Sequence, residues 1–292
     1  MSSLGAWQID VAEQKGFFQA QLVGVQQERD DALNVVDAVK DRNRDVGLVH
    51  VDALVRAVKD GQNLVLIAGA VNKAVYTLVA ARDIDSVEAL KGKLIGVRAG
   101  DDLTAAIARR MLRPRGFTDA DLNLSPFADS RVRAAAVANG TAAASLLDPG
   151  PAARLQAAGF RGLVVGTEAA RELQVEGIAV RADWARQNEE GLVRFLRAIV
   201  QANRWIYAPP NRAEAIDILA GTLRITPEEA GRVYEQWVET TPAIPREGEF
   251  DQPGIRAVID LLAETKAIEQ PLPDPTRIAD QTLVTRARSS VR

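Results

Sequence analysis

The chain has 292 residues, 47% hydrophobic and 26% charged, with a formal net charge of −3, which is enough for two lobes of ordinary domain size and offers no basic footprint for nucleic acid. It contains no cysteine, which excludes disulfides, thiolate nucleophiles and zinc–thiolate centres and fits an oxidising compartment. No apolar run reaches the length of a bilayer span, and the N-terminus shows neither the basic nor the apolar region of a signal peptide.

Residues 4–18 read as an amphipathic helix, with Trp7, Val11 and Ala12 on one face and Gly16 as its C-cap. Phe17 and Phe18 then turn into the core, and Gln21 to Gln26 forms a short strand. Asp31 to Arg42 is a helix striped by Leu33, Val36 and Val39, and Asp45 to Val49 is the strand of the next unit. A helix from Asp52 to Lys59 closes at Asp60-Gly61, and Leu64 to Ala68 is another apolar strand.

Residues 75–81 form a further strand, and Asp85 to Glu88 starts a short capped helix. Leu90 to Arg113 holds three parts in sequence. Leu94, Ile95 and Val97 make a buried strand, Arg98 to Asp102 a polar loop, and Leu103, Ile107 and Met111 a helix face of period four. A loop leaving a strand end for a helix start exposes unpaired N–H groups and suits a ligand, although its acids could equally be simple caps. Leu122 to Leu124, Ala142 to Leu147, Gly162 to Val165 and Ile178 to Val180 follow as strands. The helices Ser130 to Asn139 and Ala152 to Ala158 alternate with them, the second after the breaker cluster Asp148-Pro149-Gly150-Pro151.

From Asp183 the strand signal stops and helices follow. Leu192, Phe195, Leu196, Ile199 and Trp205 stripe the first, and Ala213 to Leu219 is the second. Thr226-Pro227-Glu228-Glu229 opens the third with a threonine cap, a proline at the first position and a glutamate at the third. Ile255, Val258, Ile259 and Leu262 stripe the fourth, and the proline-rich tail from Pro271 is expected over the surface. Alternating strands and helices predict largely parallel sheets. Two batches of them followed by helices predict two lobes: residues 1–82, residues 83–176, and residues 177–292 returning to the first lobe as a mainly helical extension.

Several segments, in this order, resemble the solute-binding proteins of ABC importers in the NMT1/THI5-like and SsuA-like group. They are Ala12 to Phe18, Asp45 to Val49, Asp85 to Val97, Arg181 to Trp184, Phe195 to Tyr207 and Arg246 to Asp251. The resemblance implies an α/β type II periplasmic-binding fold. Its two lobes, each a mostly parallel sheet flanked by helices, close as a trap on a small molecule held in the cleft. It further implies a monomer located in the periplasm or lipid-anchored outside the inner membrane, a transient ABC permease partner, no cofactor and no metal. Such proteins normally begin with a strand ahead of the Lys-Gly-Phe-Phe helix. Here the helix starts almost at once, so the first strand reads as missing and the first lobe is expected to be less stable than its relatives.

Carried over position by position, the resemblance places ligand contacts at Trp7 and Gln8 in the first helix, and at His50 and Asp52 after the DVGLV strand. It adds Asn72 and Tyr76 before the crossing strand, then Arg98, Gly100, Asp101, Asp102 and Thr104 in the central loop. Asp148 at a strand end and Glu176 at the return crossing complete the set. Trp7 could be an aromatic wall or plain core. His50, the one histidine, could meet ligand or only cap its helix, and alone it builds no metal site. Asp101 and Asp102 at a helix start weigh against a small anion such as a sulfonate or nitrate, unless Arg98 or Arg131 neutralises them. No nucleophile elbow, metal cluster or phosphate loop is present, so no catalytic residue is assigned. The alternatives are an enzyme of the same fold, of menaquinone-pathway type with His50 as base, or a ligand-sensing domain.

Overall fold

A computed structural model describes residues 4–28, 35–127, 129–165, 170 and 172–290. The chain divides into two units. One comprises Met1–Asn72, Leu173–Ile259 and Pro271–Arg292, and the other Lys73–Glu172 and Asp260–Gln270.

Helix α1 (Leu4–Gln14) buries Trp7 and Val11, one turn apart, completely. It ends at Gly16, whose φ of 70° is the left-handed C-cap conformation. In α2 (Phe17–Ala20), Phe18 stacks on Phe195 at 5.3 Å. After a turn at Leu22, whose φ is 55°, residues 23–28 have no regular secondary structure and alternate between half-buried and exposed, and no described strand pairs with them. The strand expected at Gln21 to Gln26 therefore has the side-chain alternation of a strand without the ladder. Helix α3 spans Val35–Lys40, and residues 31–34 of the helix expected at Asp31 to Arg42 lie outside the described set. Strand β1 (Val46–His50), helix α4 (Val51–Lys59) and strand β2 (Leu64–Val71) follow.

The second unit holds β3 (Thr77–Ala80), β4 (Leu94–Val97), α5 (Leu103–Leu112), β5 (Asn123–Pro126), α6 (Ser130–Ala138), β6 (Ala144–Leu147), α7 (Pro149–Ala157) and β7 (Arg161–Val165). Its sheet order is β5-β4-β6-β3-β7. Strand β4 runs parallel to β5 and β6, whereas β3 runs antiparallel to β6 and β7. The capped helix expected from Asp85 is a single 3-10 turn, Glu88–Leu90.

The chain returns to the first unit in β8 (Glu176–Arg181), which is buried at every position and runs antiparallel to both β1 and β2. Pairing is thus mixed where alternation predicted mostly parallel strands. Each sheet contains one strand, β8 or β3, that runs opposite to the neighbours it pairs with. A Cβ on Gly177 would lie 2.5 Å from Leu66 Cδ1 and 2.7 Å from the Ala68 carbonyl, so glycine lets β2 close against β8.

Helices complete the first unit: α8 (Ala182–Gln187), α9 (Glu189–Tyr207), α10 (Arg212–Leu223), α11 (Pro227–Tyr234), α12 (Gln252–Glu264, of which residues up to Ile259 belong to this unit), α13 (Pro275–Ile278) and α14 (Thr282–Ser289). At α11 the Thr226 hydroxyl accepts from the Glu229 N–H at 3.2 Å, and the Glu229 carboxylate accepts from the Thr226 N–H at 2.8 Å, the capping box read from the sequence. Helix α9 is the spine against which α1, α2 and α14 pack. The tail departs from its surface expectation. Ile278, Val284 and Ala287 are fully buried, and the Asp280 N–H donates to the Leu66 carbonyl at 2.9 Å, which ties the tail to β2. Apolar residues one turn apart give this segment a face to bury despite its prolines.

Two tests follow from this packing. Trp7 is fully buried with its ring edge-on to Tyr234 at 6.0 Å, so Trp7→Ala should lower unfolding free energy by about 3–5 kcal/mol in urea denaturation. A loss near zero would show that the indole is dispensable. Burial pushes the Tyr207 hydroxyl, which donates to the Ile244 carbonyl at 2.7 Å, up to about 12 from 10.0. A raised pKa means stabilisation fully present below pH 10 and lost as pH climbs towards 12, about 2–3 kcal/mol in all. Equilibrium unfolding across that window should show the decline, and Tyr207→Phe should flatten it.

Candidate functional site

In the second unit the parallel strands β4, β5 and β6 end at Val97, Pro126 and Leu147, and α5, α6 and α7 begin within a few residues of those ends. Three helix starts therefore gather at one edge of the sheet, where orphan N–H groups and helix dipoles favour polar ligands. Asp102 caps α5. Its Oδ1 accepts from the Ala105 N–H at 3.0 Å and from the Thr104 hydroxyl at 2.7 Å, and its Oδ2 accepts from Arg98 Nε at 2.6 Å. The Arg98 N–H in turn donates to Thr104 Oγ1 at 2.8 Å, and Arg109 reaches the Gly100 carbonyl at 3.2 Å. Arg98, Gly100, Asp102 and Thr104 are thus brought into one locked loop. Asp102 and Thr104 are nearly buried, while Asp101 is exposed.

The two aspartates were the argument against an anionic ligand, and the structure changes its basis. Asp102 spends its carboxylate on the cap and on Arg98. Arg131 pairs instead with Asp129, the N-cap of α6. Burial pushes the Asp129 carboxyl up, but the backbone N–H and guanidinium of Arg131 outweigh this and hold it below the usual range. At α7 the Asp148 carboxylate makes no cap bond and lies 3.6 Å from Arg133, a buried guanidinium that also donates to the Leu146 and Phe127 carbonyls. Ser130 was missed in the sequence. Its hydroxyl accepts from the Asp148 N–H at 3.1 Å, joining α6 to α7, and its place directly after Asp129 at a helix start was the available signal.

In the first unit the start of α1 meets the starts of β8 and α4. The Gly5 N–H donates to Glu176 Oε2 at 3.3 Å, and Glu176 Oε1 is 4.0 Å from His50 Nδ1. His50 occupies the N-cap position of α4 but makes no side-chain cap bond, so capping is not its work. Asn72 donates to the Glu249 carbonyl at 2.8 Å and accepts from Gln174 at 2.7 Å. Gln174, fully buried, also donates to the Val71 and Glu176 carbonyls, and no sequence pattern marked it.

Four expected contacts are buried in this structure. Trp7 is fully buried, with its ring edge-on to Tyr234. Gln8 is 1% exposed and spends its amide on the Ala70 carbonyl at 2.6 Å. Asp52 is 1% exposed, with Arg56 at 3.9 Å one turn on. Tyr76 is 5% exposed. Among the described residues no group of three His, Cys, Asp or Glu could hold a metal ion, and no described helix is long and apolar enough to cross a membrane.

The Asp102 lock separates two contributions. Asp102→Ala removes both the cap and the partner of a half-buried guanidinium, so it should cost roughly 2–3 kcal/mol in chemical denaturation, more than a cap alone. Asp102→Asn keeps an acceptor for Ala105 and should cost about half as much. Equal losses for the two would mean that the cap adds nothing, and no loss in Asp102→Asn would mean that the charge pairing with Arg98 adds nothing.

The architecture has many solved counterparts. The periplasmic nitrate-binding protein NrtA of Synechocystis PCC 6803 superposes with a TM-score of 0.81 at 12% identity, covering 100% of this chain and 87% of that one. The alkanesulfonate-binding protein SsuA of Xanthomonas axonopodis pv. citri, solved with MOPS, gives 0.77 at 16%, covering 94% and 95%. The periplasmic aliphatic sulphonate binding protein SsuA of Escherichia coli gives 0.74 at 17%, covering 94% and 89%. At such identities the likeness establishes the fold, that of periplasmic binding proteins. No curated protein matches the sequence. A family model described as NMT1/THI5 like matches residues 7–213, more than two thirds of the chain, and the protein belongs to that NMT1/THI5-like family.

Proposed function

We propose that the protein is the solute-binding component of an ABC importer, which captures a small molecule and presents it to a membrane permease from the periplasmic side. The observation that supports this best is the division of a family member into two α/β units, each setting helix starts and polar side chains at strand ends. The binding role needs no nucleophile and no metal. In this reading His50, Asn72 and Glu176 serve from the first unit, and Arg98, Gly100, Asp101, Thr104 and Asp148 from the second, with Asp102 positioning Arg98. Ligand binding tips a balance of a few kcal/mol towards a closed form.

The ligand class follows from the basic groups. Arg98 is engaged by Asp102, Arg131 by Asp129 and Arg133 by Asp148. Each guanidinium near the second unit's loops already faces a carboxylate of its own chain, so a bare anion gains little from them. We propose a neutral or donor-bearing ligand, such as a heterocycle or an amine, recognised chiefly by hydrogen bonds.

Calorimetric titration and thermal shift with nitrate, an aliphatic sulfonate and a panel of heterocyclic amines test both statements. The expected hit comes from the amines and binds one to one. At a hundredfold excess over Kd it raises stability by about 2.7 kcal/mol, and the ligand is recovered unchanged by mass spectrometry. Conversion of the hit into product would instead establish an enzyme, and tight binding of nitrate or sulfonate alone would overturn the ligand class.

A further inference from the structure

A cavity of about 680 Å³ lies within the first unit, lined by Val46 to His50, by residues 22–28 and by side chains of α8 and the first two turns of α9. That volume suits a small molecule. With the reading above it shares His50 and Glu176, at the C-terminal end of β1. It also takes in Arg44 and Asp45, which precede the other end of the strand. The space therefore extends along the five residues of β1, about 17 Å at 3.3 Å of rise per residue.

Its walls are largely apolar. Val46 and Leu48 are only half-buried although they belong to a sheet strand, and Val23, Val25 and Trp184 are half-buried beside them. An open apolar surface of this kind gains free energy by covering a hydrocarbon chain. The charged lining residues answer one another, with one exception. Arg44 pairs with Glu28, Asp45 lies 3.5 Å from Arg181, and Glu176 lies 4.0 Å from His50. Arg194, exposed on the second turn of α9, has neither a carboxylate nor a hydrogen-bond partner among the described residues. The acids nearest to it in its own helix, Glu189 and Glu190, are taken by Arg286. An unmatched guanidinium thus stands in water at the rim of an apolar trough. An amphiphile satisfies both parts, with its tail on the apolar walls and one anionic head on the planar fork of the arginine. A small anion would leave the walls uncovered, and a neutral apolar molecule would leave Arg194 unanswered.

We propose that this trough is a second binding site, which takes a linear aliphatic monocarboxylate of medium chain length with its tail along Val46 and Leu48 and its head on Arg194. The site does not rest on the importer reading. Calorimetric titration of the full chain with octanoate, decanoate and dodecanoate tests it. Binding should be one to one, and affinity should rise about fifteenfold for each two methylenes added. Arg194→Ala changes an exposed side chain that has no partner to lose. It should weaken decanoate about threefold to fivefold, as an exposed ion pair allows, and leave 1-decanol unaffected. In methyl NMR, decanoate should shift Val25, Val46 and Leu48 and leave Ile107 and Val137 of the second unit in place. Equal affinity along the series, or an unchanged decanoate affinity in Arg194→Ala, would overturn the proposal. Shifts confined to the second unit would place the carboxylate at the importer site and overturn it too. Sedimentation of the protein with phosphatidylglycerol vesicles, undiminished by free decanoate, would assign the apolar face to a lipid surface instead.

Discussion

The first unit depends on β8. It lies between β1 and β2 in the sheet, is buried along its whole length, and supplies both ladders from one six-residue run, EGIAVR. Its ends carry charge because its middle cannot. Arg181 leaves the strand with its guanidinium on the carbonyls of Val39 and Arg44. Glu176 enters it with one carboxylate oxygen on the first turn of α1 and the other near His50. Glycine at position 177 removes the Cβ that would collide with β2. A single strand thus sets the spacing of the sheet and the place where α1 and α4 begin, so the chemistry at those helix starts is inherited from backbone geometry.

The second unit meets a different problem, a polar loop at the end of a buried strand. Unpaired N–H groups at the start of α5 and a guanidinium at Arg98 each need an acceptor, and one carboxylate serves both. Burying that carboxylate is tolerable because it is fully hydrogen-bonded and charge-paired. The loop is held in one conformation before any ligand arrives, which lowers the entropy lost on binding. The same pairing removes Arg98 as a free counter-charge, so rigidity and neutrality come together. Arg133 and Asp148 repeat the arrangement at α7 more loosely, at 3.6 Å.

Much of this was legible in the residues. Trp7 and Val11 at helical spacing, Gly16 as a stop, the apolar runs of β2 and β4, and the Thr226 to Glu229 capping box each follow from a local rule of backbone or side-chain geometry. The central loop was also recognisable, because strand, polar turn and period-four helix follow one another within Leu90 to Arg113. Strand direction was not legible. Alternation of strands and helices says nothing of β8 and β3, which run antiparallel to the strands they pair with. Nor was the fate of the tail: its prolines suggested a surface run, while Ile278 and Val284 find a buried face against β2 and α9.

Sequence by itself determined most of the helices and strands (though not the residues after Gln21 or the turn at Glu88), the lack of thiolate and metal chemistry built on cysteine, and the family to which the order of segments points. Tertiary structure decided which side chains remain available. Trp7, Gln8, Asp52 and Tyr76 are buried in this structure, whereas His50 is partly buried and Asp101 exposed. It also decided that Asp102 answers Arg98 while Arg131 turns to Asp129. These outcomes depend on distances of a few ångströms set by residues far apart in the chain, Glu176 and Gly5 among them, and no local pattern encodes such distances.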